Sequence, residues 1–351
     1  MTRGKVCVLV GGQYGSEGKG AIARHVADRY QVHVRVGSPN AGHTIWWQGK
    51  RHVMQSIPCG WINPDAKIVI GRGALINMRL LMNELVHILQ FYPDFLSRLY
   101  IDSCAGILDE RFHEQEGGIH GEAHARIGST GEGVGPARIA RLERDHDKFR
   151  LFRDVADDYG LEKCMYWGTP DLIAGWQDLG ANVLIEGTQG SGLSLLHSCW
   201  PYCTTVDTNA AGIVSEVGLA PSRVTDVLMV FRTFPIRVAG NSGPMEQEIT
   251  WKELSERLGR EVTEKTTVTK LTRRIALWDP SLARRSMNLN EPTEIALTFC
   301  DYVDSELYGS TDAQQILSNE VMKKFLDTSG LPLDKIKYFG TGPNCVAEVV
   351  R

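Results

Sequence analysis

Residues 6–20 read VCVLVGGQYGSEGKG: an apolar run from Val6 to Val10 breaks straight into a glycine-rich loop that carries Lys19. A helical pattern, AIARHVADRY, follows at residues 21–30. Strand, glycine loop, lysine and helix start in that order make a phosphate cradle, because unpaired backbone N–H groups and the positive end of a helix dipole converge on the anion. The loop is not the common Walker type. Gly18-Lys19 is followed by Gly20 instead of Ser or Thr, and Gln13 stands five residues before Gly18. A glycine turn of this kind also occurs without a ligand, so the remaining chain has to decide between the two.

Outward from the loop, short β-rich runs at 67–70, 182–185 and 227–231 alternate with helical stretches at 75–90 and 320–327. That alternation predicts an α/β protein with a large, mostly parallel central sheet flanked by helices. Ligands then belong at the carboxyl ends of the strands, where residues 11–19 and 186–190 fall. No repeat, low-complexity tract or Pro/Gly/Ser-rich linker divides the 351 residues, so a single domain over 1–351 with long insertions is expected.

The formal net charge of −4 offers no basic field to nucleic acid or to an anionic membrane, and neither is expected as a partner. The eight cysteines form no CxxC pair, and only Cys199 and Cys203 lie close together. They read as reduced, mostly buried thiols, not as a zinc site or a disulfide framework. No signal-peptide pattern opens the chain and no apolar run reaches membrane-spanning length, so a cytoplasmic location is expected.

Four further segments turn the phosphate hypothesis into a specific one: VGSPNAGHT at 36–44, RIGSTGEGVGPA at 126–137, IEGTQGSGLSL at 185–195 and TTVTKLTRRIALWD at 266–279. In this order, and on to GTGPN at 340–344, they resemble the adenylosuccinate synthetases. These ligases condense a purine monophosphate with aspartate at the expense of a nucleoside triphosphate. The resemblance spans nearly the whole chain. It implies a parallel-sheet fold akin to P-loop NTPases, a homodimer, and Mg²⁺ as cofactor.

The reaction must turn the 6-oxo group of a purine into a leaving group by phosphorylating it, and must then let aspartate attack that carbon. By resemblance, Gly15, Glu17, Gly18, Lys19 and Gly20 hold the triphosphate, together with Gly42, His43 and Thr44, and Lys19 acts as a point charge on the transferring phosphate. The Gly42 carbonyl and the residue at Ser16 are implied metal ligands. His43 matches the histidine that stabilises or protonates the departing oxygen, a role suited to a group titrating near neutrality; its bland alternative is a loop histidine satisfied by backbone. Asn40, Thr130, Gln189 and Thr204 match positions that bind the substrate monophosphate. Arg144 matches an arginine that reaches the partner subunit's substrate, with Arg138 and Arg141 as close competitors. Thr267, Val268, Thr269 and Arg273 match the loop that clamps aspartate, Arg273 in bidentate geometry. Asp301 matches the acid that reads the guanine of GTP, and Gly340 and Gly342 the loop over that base.

Three departures change the implied substrate. Ser16 stands where these synthetases carry an aspartate that accepts the ring proton of inosine monophosphate, and a free hydroxyl is far too weak an acid to replace it. A shorter side chain leaves room for the 2-amino group of guanine. Leu271 replaces an arginine of the aspartate loop that also contacts the ribose 2′-hydroxyl, which a deoxyribose lacks; losing both partners together avoids the ~1–3 kcal/mol cost of one unmatched polar group. Phe299 replaces a lysine two positions before Asp301, which opens the identity of the donor base. In these features the chain resembles the viral branch of the family that makes 2-aminoadenine nucleotides, joining dGMP to L-aspartate with ATP or dATP. The alternatives are an ordinary synthetase using IMP, aspartate and GTP, and a non-catalytic nucleotide-binding regulator.

Overall fold

Val6–Gly11 is buried at every position and runs through the middle of a ten-stranded sheet. The structure is a computed structural model that describes residues 2–266 and 270–350. Across the sheet the strands run Cys345–Glu348, Ile336–Gly342, Glu294–Thr298, Asp226–Arg232, Val6–Gly11, Val183–Glu186, Val32–Arg35, Lys67–Ile70, Leu99–Asp102 and Met165–Tyr166. Every neighbouring pair is parallel except the edge pair Ile336–Gly342 with Cys345–Glu348.

The unbroken apolar run at 6–10 reflects burial on both faces, as parallel sheets require. Val6, Val8 and Val10 pack into one apolar cluster with Val34, Ile185 and Phe231, while Cys7 and Leu9 enter another with Ile22, Trp61 and Ile68. The expected α/β class with a mostly parallel sheet is therefore what the chain adopts. Among the described residues no helix is long and apolar enough to cross a membrane.

Element boundaries moved where side chains compete for them. The stretch at 75–90 splits into a short strand, Leu75–Ile76, and a helix, Met78–Leu89, because the Asn77 side chain accepts the Leu80 N–H at 3.1 Å and caps the helix there. The strand expected at 182–185 is Val183–Glu186, and that at 227–231 is Asp226–Arg232. The last predicted helix extends to Ser329, where Gly330 at φ 72° ends it.

Candidate active site

Six adjacent strands deliver residues to one cavity of about 1120 Å³ at their carboxyl ends. Gly18, at φ 87°, starts the helix Lys19–His25, and Gly20 lets that helix sit against the strand His43–Trp47: a Cβ on Gly20 would lie 2.6 Å from the Thr44 carbonyl oxygen. The loop is folded on its own carboxylate. Glu17 is wholly buried; its Oε1 accepts the N–H groups of Gln13 (3.1 Å) and Gly15 (2.8 Å), and its Oε2 pairs with Lys19 Nζ at 2.7 Å. Lys19 Nζ also donates to the Gln189 carbonyl. Glu17 thus shapes the loop from behind, and its side chain does not line the cavity, whereas Gly15, Ser16, Gly18, Lys19 and Gly20 do.

Ser16 stands exposed at the cavity wall in the left-handed region, at φ 58°. Its carbonyl accepts from Arg232 Nη1 at 3.1 Å, and its hydroxyl has no partner among the described residues. Arg232, wholly buried, also pairs with Glu264 (Nη2–Oε1 2.5 Å) and lies 3.8 Å above the Phe299 ring. Burial opposes ionisation of Glu264, yet the Arg232 charge holds its carboxyl below the usual range. One arginine therefore ties the glycine-rich loop at Ser16 to the segment around Glu264.

His43 is oriented by Glu186, at the end of Val183–Glu186. Its Nδ1 lies 2.5 Å from Glu186 Oε1, which also accepts Arg35 Nη1 at 2.6 Å, while Oε2 accepts the Cys59 N–H at 2.8 Å. Burial, with Arg35 beside it, pushes the His43 ring down to about 4. Burial alone would raise Glu186, but the hydrogen bond and charges facing it hold its carboxyl at about 2. The expectation of a ring titrating near neutrality is corrected: the resting imidazole is neutral, its Nδ1–H donated to Glu186 and its Nε2 without a partner among the described residues.

Gln189, at φ 55°, and Thr204 are brought together directly, Nε2 donating to Oγ1 at 3.1 Å. Asn40, whose Oδ1 accepts from Ser38 at 2.9 Å, lines the same cavity, as do Gly42, Thr44 and Thr130. Arg144 does not. It ends the helix Val134–Glu143 at φ 58°, exposed, with no side-chain partner among the described residues. Its competitors are committed: Arg138 pairs with Glu216 at 2.9 Å and Arg141 donates to the Cys104 carbonyl at 3.1 Å.

Thr267, Val268 and Thr269 lie outside the described residues. Arg273 lines the cavity, while neighbouring Arg274 pairs with Glu248 and donates to the Gly243 carbonyl at 2.8 Å. At the far end stand Asp301, Gly340 and Gly342. Asp301 is not free: its Oδ2 takes Arg260 Nη2 at 2.5 Å. Burial raises the Asp301 carboxyl to about 6 against the pull of Arg260.

A magnesium ion demands oxygen ligands. The Ser16 hydroxyl and the Gly42 carbonyl fit as neutral oxygens on the cavity wall. Glu17, Glu186, Glu264 and Asp301 each already face a cation.

Sequence reasoning missed Arg35, Glu186, Arg232, Arg260 and Glu264. Arg35 and Arg232 carried a usable signal, since each directly follows a valine-rich strand run, and a buried arginine needs a carboxylate. Nothing in the local pattern named the partner.

Comparison with known proteins is consistent with this geometry. The family model described as adenylosuccinate synthetase matches residues 8–165 and 147–307. An adenylosuccinate synthetase of Thermococcus onnurineus is 36% identical over 341 residues, covering 96% of this chain and 95% of that protein. A solved structure of the cyanophage S-2L succinoaminodeoxyadenylate synthetase, bound to dGMP and to dATP as an energy donor, superposes with TM-score 0.82 at 27% identity, covering 99% of this chain and 96% of that one. Fully ligated adenylosuccinate synthetase from Plasmodium falciparum gives TM-score 0.83 at 20% identity over 99% of this chain and 100% of that one, a likeness of fold.

Proposed function

The chain belongs to the adenylosuccinate synthetase family of C–N bond-forming ligases, and from that premise we propose that it joins dGMP to L-aspartate, driven by ATP or dATP through a 6-phosphoryl intermediate. The product is N6-succino-2-amino-2′-deoxyadenylate, used for 2-aminoadenine nucleotides. Ser16 carries the reading: a short, uncharged side chain with a free hydroxyl stands at the mouth of the phosphate loop, where it leaves room for a purine 2-amino group and can accept its hydrogen bond. The similarity to the cyanophage protein bound to dGMP and dATP supports it.

In this reading Lys19, held in place by Glu17, neutralises the transferring phosphate. A negative phosphoryl group on the 6-oxygen favours the His43 imidazolium, so that Nε2 donates to the departing oxygen while Glu186 balances the charge. Asn40, Thr130, Gln189 and Thr204 hold the monophosphate. Arg273 clamps the aspartate carboxylate, with Thr267, Val268 and Thr269 beside it. Mg²⁺ at Ser16 and Gly42, when bound with the triphosphate, would neutralise the charge that develops on its oxygens. In a homodimer the uncommitted Arg144 would reach the partner subunit's substrate.

The curated relatives, such as the Thermococcus enzyme at 36% identity, favour a second reading with IMP and GTP. Incubation with aspartate, Mg²⁺, each triphosphate and either IMP or dGMP separates them. Succinylated product from dGMP is expected. Product from IMP alone refutes the proposal, and nucleotide binding with no phosphate released under any combination points to a regulator.

A further inference from the structure

The loop at 128–133, which carries Thr130, is held together by one acid, Glu116, that takes no part in the proposed chemistry. We propose that Glu116 is a positioning residue for the substrate nucleotide: its carboxylate fixes Ser129 and Gly133 on either side of Thr130 and so keeps that threonine in register at the cavity wall. The inference rests on the reading that Thr130 binds the substrate monophosphate.

Glu116 ends the short helix Glu110–Glu116 and lines the cavity. Its Oε1 accepts the Ser129 hydroxyl at 2.6 Å, and its Oε2 accepts the Gly133 N–H. Ser129 Oγ in turn accepts the Gly131 N–H at 3.2 Å, and the Ser129 carbonyl accepts from His124 Nδ1 at 2.7 Å. Both neighbours of Thr130 are thereby tied down, while the Thr130 hydroxyl has no partner among the described residues and stays available to a ligand. Two glycines let the acid reach this far. Gly131 at φ 71° and Gly133 at φ 80° lie so close to the chain at 113–118 that a Cβ would stand 2.3 Å from the Gly118 carbonyl carbon and 2.6 Å from the His113 nitrogen, respectively.

No cation pairs with the half-buried Glu116 among the described residues, and Glu132 nearby adds like charge. By charge alone, such an acid at the wall of an anion site weakens the binding of a phosphate. As a hydrogen-bond acceptor it strengthens binding, because bonds to an ionised acceptor are about twice as strong as neutral ones and here they hold the loop. The two effects have opposite signs, which makes the role measurable.

The test is KM for the acceptor nucleotide, whichever of dGMP or IMP is turned over, set against KM for the triphosphate and for aspartate on the full chain. Glu116→Ala is expected to raise the first about tenfold and to leave the other two within about twofold. Ser129→Ala, which alters no charge, should move the same constant in the same direction, and Glu116→Gln, which keeps an acceptor, should move it less. A fall in the nucleotide KM of Glu116→Ala means that repulsion dominates and overturns the proposal. An equal rise in all three constants, the mark of general loosening, overturns it too. Should Glu116→Ala not fold, Ser129→Ala decides, and an unmoved nucleotide KM in that variant refutes the role. Thr130→Ala separates the two readings. If it raises the nucleotide KM and the Glu116 and Ser129 variants do not, the positioning role alone fails; if it leaves that KM unmoved, the monophosphate reading falls and takes the proposal with it.

Discussion

Ser16→Asp returns a carboxylate to the mouth of the phosphate loop, and the structure makes it a clean perturbation. Residue 16 is exposed at φ 58°, a conformation that aspartate adopts more readily than most residues. Exposed changes of this kind move stability by about 0.5 kcal/mol or less. The bond from Arg232 goes to the backbone carbonyl of residue 16, at 3.1 Å, and survives the substitution. Any change in turnover therefore reports the pocket. Crowding a filled site by a few atoms costs about 1–3 kcal/mol, which is roughly 5- to 150-fold in kcat/KM for a base with a 2-amino group. IMP has no such group, and its ring N–H gains an acceptor. The ratio of kcat/KM for dGMP over IMP should therefore fall by at least that factor, read by coupled phosphate release with product identified by mass, alongside a melting curve. A ratio unchanged within twofold in a variant that melts like the parent would refute the account of Ser16.

Glu186→Gln removes the countercharge of Arg35, which is 2% exposed, and should destabilise the fold by about 3–5 kcal/mol in urea titration while lowering kcat more than tenfold. Arg144→Ala removes an exposed guanidinium without intramolecular partners, so the melting temperature should stay put while KM for the substrate nucleotide rises about tenfold; an unmoved KM removes the role across the dimer. His43 falls from 6.5 to about 4 because its burial disfavours the charge, so the folded protein binds that proton less readily than the unfolded chain. Its stabilisation is complete above about pH 6.5 and drains as pH falls through 4, and His43→Asn should lose less melting temperature over that interval. Glu84, raised by burial from 4.5 to about 7, acts in the opposite sense: its contribution is complete below 4.5 and is lost as pH rises through 7.

Much of the sheet could be read in advance because strands buried on both faces carry near-continuous apolar runs, as the interiors of Val6–Gly11, Lys67–Ile70 and Val183–Glu186 do. The cavity wall was legible for a related reason. Close approach of backbone to phosphate demands glycine at particular places, and Gly15 and Gly18 do adopt the left-handed conformations their loop needs. Boundaries were less legible at 75–90, where a side-chain cap at Asn77 overrides a continuous hydrophobic pattern.

The charge partners were not legible at all. Glu17 with Lys19 is two residues apart and local, but Arg35 with Glu186, Arg232 with Glu264, and Arg260 with Asp301 join segments separated by 151, 32 and 41 positions. Short-range order follows from dihedral preference and periodicity, which neighbouring residues impose on one another, so the strands, the phosphate loop and its lysine are written into consecutive letters. Which cation neutralises which buried acid depends on the order in which strands are laid side by side. That is why the neutral state of His43 and the occupied state of Asp301 emerged from the folded chain: both are set by burial and by charges that meet only after the sheet has formed.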